Sequence, residues 1–301
     1  MEFNFLYQAD QPKLIKHYFH DLDLPRGFTT AVKFQGQILK NGQPVSVRAS
    51  LHAGDRLTLI AADEKGHDSV IPSFTPIEVV YEDRDILVVN KPYDLVSIPS
   101  IKDPDSSMAN RIKGYYVSKD YPDQVIHIVT RLDRDTSGLM LIAKHRLCHA
   151  LLDRAIQAGG IQKYYYALST RTDWQAHGLI DAPIARSQES LITRTVHPSG
   201  KSALTEYWLA QSFEGGSLLK LQLHTGRTHQ IRVHLTWMGG PLIGDDLYGG
   251  PLSPELSRQA LHCGELNFIH PFTKAPLQLK QDIPTDMQTW MSHHPLISKQ
   301  S

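Results

Sequence analysis

The chain has little cysteine, no excess charge of either sign and no long apolar run, and each shortage removes a class of function. Its two cysteines, Cys148 and Cys263, lie far apart and form no metal-spaced pair. They read as reduced thiols of a cytoplasmic protein, not as a disulfide framework. The 31 basic residues balance 31 acidic ones, so any polyanionic partner must be met by a local patch instead of bulk charge. No stretch approaches the uninterrupted apolar length of a membrane span. Met1-Glu2-Phe3-Asn4-Phe5-Leu6 also lacks the basic start and apolar run of a signal peptide. The expectation is a soluble cytoplasmic monomer.

Cofactor signatures are missing as well. The glycine-heavy stretch Gly239–Gly249 has neither the lysine nor the spacing of a P-loop. No strand leads through Gly-x-Gly-x-x-Gly into a helix, and Ser137 is not in a Gly-x-Ser-x-Gly elbow. Neither a nucleotide cofactor nor a resident metal is expected.

What is present is an ordinary globular composition, 41% hydrophobic and 21% charged, enough to bury a real core. Residues 1–62 read as a small unit, 63–76 as a polar linker, 77–292 as the main domain and 293–301 as a tail. In the small unit, a helix is expected over Lys13–Phe19 and a second apolar-patterned stretch over Val32–Leu39. An Asn41-Gly42 reversal follows, then a short strand at Val45–Val47, a Gly54-Asp55 turn and a last strand. In the main domain, strands are expected at Ile77–Tyr81, Ile86–Asn90, Val125–Val129, Leu139–Ala143, Ile161–Leu168, Leu191–Val196, Ala203–Ala210 and Leu218–His224. Helices are expected over Ser106–Tyr116 and His145–Ala158, the second stopped by Gly159-Gly160. Strands dominate without a βαβ repeat, so the fold class is α+β, mainly antiparallel.

Two stretches are dense in chemistry. Thr130-Arg131-Leu132-Asp133-Arg134-Asp135-Thr136-Ser137-Gly138 alternates arginine with aspartate between two expected strands. Such a loop is costly to bury unless its ions pair or meet a ligand, although a solvated connection has the same composition. His224-Thr225-Gly226-Arg227-Thr228-His229-Gln230-Ile231-Arg232-Val233-His234 turns into a helix, for which Thr228 is the natural N-cap. Arg227 at that helix start suits a phosphate or carboxylate. A metal reading of His224, His229 and His234 is disfavoured: spacing of five does not stack them on one face, and the stretch offers no acidic ligand.

Taken in order, six pieces resemble the RluA-type pseudouridine synthases over almost the whole chain. They are Leu87–Pro92, Arg131-Leu132-Asp133 with Thr136-Ser137-Gly138-Leu139, Lys163–Leu168, Gly226–His234, Gly244-Asp245 with Tyr248-Gly249, and Ala260-Leu261-His262 with Phe268–Pro271. The first unit resembles a degenerate S4 RNA-binding module, with Leu24-Pro25-Arg26-Gly27 where its second helix usually opens. The resemblance implies a pseudouridine synthase fold with a central cleft, no cofactor, and structured RNA as partner: ribosomal RNA of the large subunit first, transfer RNA second. It puts Asp133 on the catalytic aspartate, Tyr165 on the tyrosine facing the target base and Arg232 on the aspartate's basic partner. Arg131 falls on an arginine that fills the RNA when the uridine leaves its stack, and Leu261 near an apolar residue that closes the pocket. Arg227 and His229 are expected to contact RNA. Thr130 departs from the family, which usually has histidine there; a threonine hydroxyl can make a comparable local hydrogen bond.

Turning uridine into pseudouridine is redox-neutral, and it needs a carboxylate that can attack or remove a proton. The extruded base also needs a partner surface, and the RNA a filler. Two rivals share the sequence: a non-catalytic RNA-binding or ribosome-assembly factor of the same fold, and a small-molecule hydrolase using the histidine-rich turn.

Overall fold

A computed structural model describes residues 1–64, 70–100, 104–190 and 192–297. The linker, Leu191–Val196 and tail expectations therefore fall partly outside the described residues.

The first part of the chain folds as β1 (Glu2–Leu6), β2 (Lys13–Leu14), α1 (Ile15–Asp21), α2 (Arg26–Gln35), β3 (Gln37–Lys40), β4 (Gln43–Pro44), β5 (Ser50–Leu51) and β6 (Arg56–Ile60). A four-stranded sheet of order β1-β6-β3-β4 carries it. The stretch Val32–Leu39, read as one patterned run, is the end of a helix and the start of a strand. Gly36 forces the break: a Cβ there would lie 2.1 Å from the Ile60 carbonyl oxygen, so only glycine lets β6 pass. Val45–Val47 is not a strand. The Val45 amide reaches Ile38 and the Val47 carbonyl accepts the Lys16 amide, so the segment closes over α1 instead of extending a ladder.

The second part contains β7 (Glu78–Glu82), β8 (Ile86–Lys91), α3 (Met108–Ser118), β9 (His127–Ile128), β10 (Ser137–Ala143), α4 (Arg146–Gln157) and β11 (Ile161–Ser169). It continues through β12 (His177–Asp181), β13 (Ile184–Arg186), β14 (Arg194–Val196), β15 (Leu204–Phe213), β16 (Gly216–Leu223) and α5 (Gln230–Trp237). It closes with β17 (Leu261–Ile269), β18 (Pro276–Lys280) and α6 (Thr285–His293). Ten of these strands form one sheet with the path β12-β15-β16-β11-β17-β10-β8-β7, β9 and β18 attached at its side. The fold is α+β with a mixed, mainly antiparallel sheet, as its strand-rich pattern implied.

Among the described strand pairs, only β10 with β17 is parallel, through Ser137↔His262 and Gly138↔Cys263. The sheet thus has two antiparallel halves joined at one seam, and the loop before β10 emerges at that seam. β10 is buried along its whole length, which is why Leu139–Ala143 reads as an unbroken apolar run. Leu139 and Leu141 face one core with Tyr165 and Leu261, while Met140 and Ile142 face a second with α3. Each such side chain contributes about 1.5–3 kcal/mol by leaving water.

The small unit is docked, not tethered loosely. Phe3, Phe28, Leu57 and Leu59 share a core with Leu147 of α4, and Phe272 packs at its edge. At the start of the linker, buried Glu64 accepts from the Arg146 amide and meets His127 Nε2 at 2.9 Å. Its carboxyl is held at about 2, because these partners outweigh the cost of burial. Among the described residues no helix is long and apolar enough to cross a membrane.

Candidate active site

A cleft of about 650 Å³ lies over the seam of the sheet, and it gathers Arg131, Asp133, Tyr165, Arg227, His229, Arg232 and Leu261. These residues come from four separate parts of the chain, and all seven named from sequence meet there.

The Asp133 wall is a loop whose backbone is tied at nearly every step. Thr130 is buried, and its hydroxyl accepts the Leu141 amide at 2.9 Å, fastening the loop to β10. Ser97 bonds both the Leu132 carbonyl (2.7 Å) and the Leu132 amide (3.0 Å). Lys91 is fully buried, and its three ammonium protons go to the carbonyls of Pro92 (2.7 Å), Leu95 (2.6 Å) and Arg134 (2.9 Å). Burial pushes its pKa down to about 7 despite the fields of Asp135 and Asp133. Behind the loop, Gln259 donates to the Thr136 hydroxyl and Arg258 to the Asp135 carbonyl. Asp133 lines the cleft, and Asp135 does not. The Asp133 side chain keeps 31% of its exposure, so the carboxylate remains reachable. Arg131 is exposed at the rim, and Arg134, which also lines the cleft, pairs with Asp94 at 2.7 Å.

The opposite wall fixes side chains. Arg232 Nη1 stands 3.8 Å from the nearer Asp133 oxygen, an ion-pair distance but beyond a hydrogen bond. Its firm partner is Asp245, which takes Nε at 2.8 Å and Nη2 at 2.7 Å in the bidentate fork that suits arginine. Burial opposes the Arg232 charge, but Asp245 and then Asp133 more than offset it and hold its pKa above the ordinary value. Asp245 reaches this position through Gly244, whose φ of +76° and approach to the Arg258 carbonyl leave no room for a Cβ. The Tyr248 ring lies against the Arg232 guanidinium at 4.8 Å. The floor is Tyr165 on β11, with Leu261 of β17 beside it. Burial, then the neighbouring Cys263 and Asp133, raises the Tyr165 phenol well above its ordinary pKa.

Some expectations need correction. Thr228 is not the N-cap of α5: the helix starts at Gln230, His229 holds the cap with φ 58°, and no side chain caps it. Buried Gln230 does the securing, accepting from Thr225 and the Arg227 amide and donating to Leu204 and Thr205. The three histidines weighed as ligands face three different partners: His224 meets Glu206, His229 meets Tyr248, and His234 meets Thr205 and the Ala182 carbonyl. Glu206 is an acidic neighbour after all, supplied by β15 and invisible from local spacing. Asp245, Tyr248, Gln230, Lys91 and Ser97 were not singled out as site residues. Their roles depend on contacts between distant parts of the chain, although Lys91, Gln230, Asp245 and Tyr248 sit within the motifs already quoted.

The RNA pseudouridylate synthase family model matches residues 85–237, and a curated relative from Bacillus subtilis (strain 168), "Uncharacterized RNA pseudouridine synthase YjbO", is 40% identical over 91% of this chain and 96% of its own. The chain belongs to the RluA-type RNA pseudouridine synthases. This synthase is also 37% identical to the "Ribosomal large subunit pseudouridine synthase D" of Yersinia pestis, covering 83% of this chain and 81% of that one. Its fold matches the solved structure of "Human RNA Pseudouridylate Synthase Domain Containing 1" with a TM-score of 0.60, at 24% identity over 75% of this chain and 91% of that one. The synthase is therefore an isomerase that acts on uridine in RNA.

Proposed function

We propose that this synthase converts uridines of large-subunit ribosomal RNA and that Asp133 carries the reaction. The observation that carries the assignment is the position of Asp133: held by its backbone, open to the cleft, 3.8 Å from a pinned arginine and above a buried tyrosine. In the isomerisation the N1–C1′ bond breaks, the base turns and C5 bonds to C1′. Net, the proton on C5 is lost and one is gained at N1, so no oxidant or reductant is consumed. Asp133 supplies the carboxylate that begins this exchange, and Arg232 faces it. Tyr165 and Leu261 form the apolar floor against which the freed ring turns. Arg131, exposed at the rim without an ion pair among the described residues, fills the stack the uridine leaves. Arg227 and His229 contact the RNA beside it.

Residues 1–62 act as the RNA-docking unit and 77–292 as the catalytic unit, both in the cytoplasm and in one monomer. Ribosomal RNA is favoured because relatives such as that of Yersinia pestis bear the large-subunit name. Pseudouridine mapping of ribosomal and transfer RNA from cells with and without this protein tests the proposal. A site lost from large-subunit RNA supports it; a loss confined to transfer RNA replaces the substrate; unchanged maps with an inactive purified protein contradict the proposed function.

A further inference from the structure

His229 occupies a conformation that costs a histidine energy. Its φ of 58° lies in the left-handed region, and its side chain gains no capping bond in return. Strain of this kind persists where surrounding contacts impose it, often at functional sites. Here the imposing contact is Tyr248, whose hydroxyl lies 2.8 Å from His229 Nδ1 with the two rings edge to face.

That contact also sets where the imidazole proton sits. The Tyr248 oxygen accepts the Arg194 amide at 2.9 Å. The tyrosyl proton has no acceptor among the described residues other than His229 Nδ1. A chain of bonds running in one direction, from the Arg194 amide to the tyrosine and from the tyrosine to Nδ1, uses every one of these groups. With Nδ1 accepting, the neutral ring carries its proton on Nε2. Nε2 makes no hydrogen bond among the described residues, and the ring lines the cleft. The charged groups around it are Asp133 on the loop, Arg232 on α5, Arg194 on β14 and Asp245 on the turn after Gly244. Burial, with the two arginines against the two aspartates, lowers the His229 pKa and so favours the uncharged ring. The same Tyr248 ring faces the Arg232 guanidinium, so one tyrosine orients two cleft residues.

We propose that His229 donates its Nε2–H to an oxygen of the target uridine, and that Tyr248 is the positioning residue that fixes this tautomer. This rests on the reading of the cleft as the uridine site. It makes His229 a specific donor instead of one more basic contact to the RNA backbone.

Nitrogen NMR of the ¹⁵N-histidine-labelled full chain tests the tautomer without any RNA. The expected signature is a protonated Nε2 at His229, converted to a tautomer mixture by Tyr248→Phe. A wild-type Nδ1–H overturns the proposal even if the enzyme is active. Kinetics on an RNA containing the modified site test the donor. His229→Gly relieves the left-handed strain, so its melting temperature should not fall, while kcat drops about 10²-fold, the usual cost of one lost donor, and KM moves little. His229→Asn tolerates the same backbone and restores an amide donor, so it should recover part of that loss. Tyr248→Phe should lose about tenfold, less than removing the donor itself. Substrates with 2-thio, 4-thio or 2′-deoxy uridine at the target identify the oxygen: one of them should lose no further rate on His229→Gly. Wild-type kcat in His229→Gly, or full additivity with all three substrates, overturns the donor. Failure of the wild-type enzyme on every RNA would instead remove the proposed function, leaving the tautomer result to stand on its own.

Discussion

The two walls of the cleft are built by different means. The Thr130–Ser137 loop is held through its backbone by the Ser97 hydroxyl and the Lys91 ammonium and through its Thr130 and Thr136 hydroxyls by the Leu141 amide and Gln259, and its aspartate side chain is left partly open. Across from it, Arg232 is held by its own side chain, clamped by Asp245 and covered by Tyr248. The difference suits the roles proposed for the two residues. A group that meets a changing substrate needs a fixed base and a free end. A charge that sets a field needs to stay where it is, and a buried carboxylate partner does this at a smaller desolvation cost than an empty site.

That contrast gives an order of effects among the supporting residues. Asp245→Asn should be the most damaging, since it strips the buried Arg232 of its charged partner. Breaking a buried pair costs about 3–5 kcal/mol, so thermal unfolding should show a large loss, and turnover should fall with it. Arg232→Lys should also lose most activity in a steady-state assay, because a point charge cannot replace the fork that Asp245 receives.

Next comes Lys91. Its folded pKa of about 7 lies below that of a free lysine, so between those values the unfolded chain binds the proton more readily. Stability from this group therefore rises with pH above about 7 and is lowest below it. Lys91→Met should flatten that rise in urea titrations at neutral and alkaline pH, and slow turnover by loosening the Arg134 carbonyl. A rise that persists in the variant would assign it to another group.

Thr130→Ala should cost about 1 kcal/mol of stability, the typical value of one hydrogen bond, with a few-fold loss of rate. A complete loss would mean that Thr130 does more than hold the Leu141 amide. The smallest effect on catalysis is expected at Glu64, which does not line the cleft. Its folded pKa of about 2 lies below the unfolded value of 4.5, so its contribution is complete above 4.5 and disappears as pH falls toward 2. Glu64→Gln should lower the melting temperature near neutral pH, lose that deficit in acid, and leave kcat unchanged.

How much of this was legible in the sequence varied with how local the cause is. Ile86–Asn90 and Leu139–Ala143 read as strands because burial on both faces writes an apolar run. β17 was missed as a strand because Gly264, Glu265 and Asn267 interrupt its apolar pattern, and its fit depends on neighbours β10, β11 and β18. α2 escapes the pattern because Phe28 and Val32 give it only a narrow apolar stripe, opening after Pro25 without a polar cap; only the S4 resemblance marks where it starts. In the site, all seven expected residues meet in one cleft, and every one of them lies inside a quoted motif. The partner of Arg232 was legible only in part. Asp133 is near it, but the clamp is Asp245, on another element, where no spacing rule reaches. Asp133 and Asp135 are equivalent by local composition. The family resemblance singles out Asp133, and the fold turns it into the cleft while setting Asp135 behind the loop near Lys91.

That last distinction is the centre of the account, and one measurement addresses it directly: pseudouridine formed per enzyme on a modifiable RNA, compared for Asp133→Asn and Asp135→Asn, with RNA affinity measured in parallel. Asp133→Asn should form no product at near-normal affinity, and Asp135→Asn should keep substantial turnover. Retained turnover in Asp133→Asn, or its loss only in Asp135→Asn, would contradict the role given to Asp133.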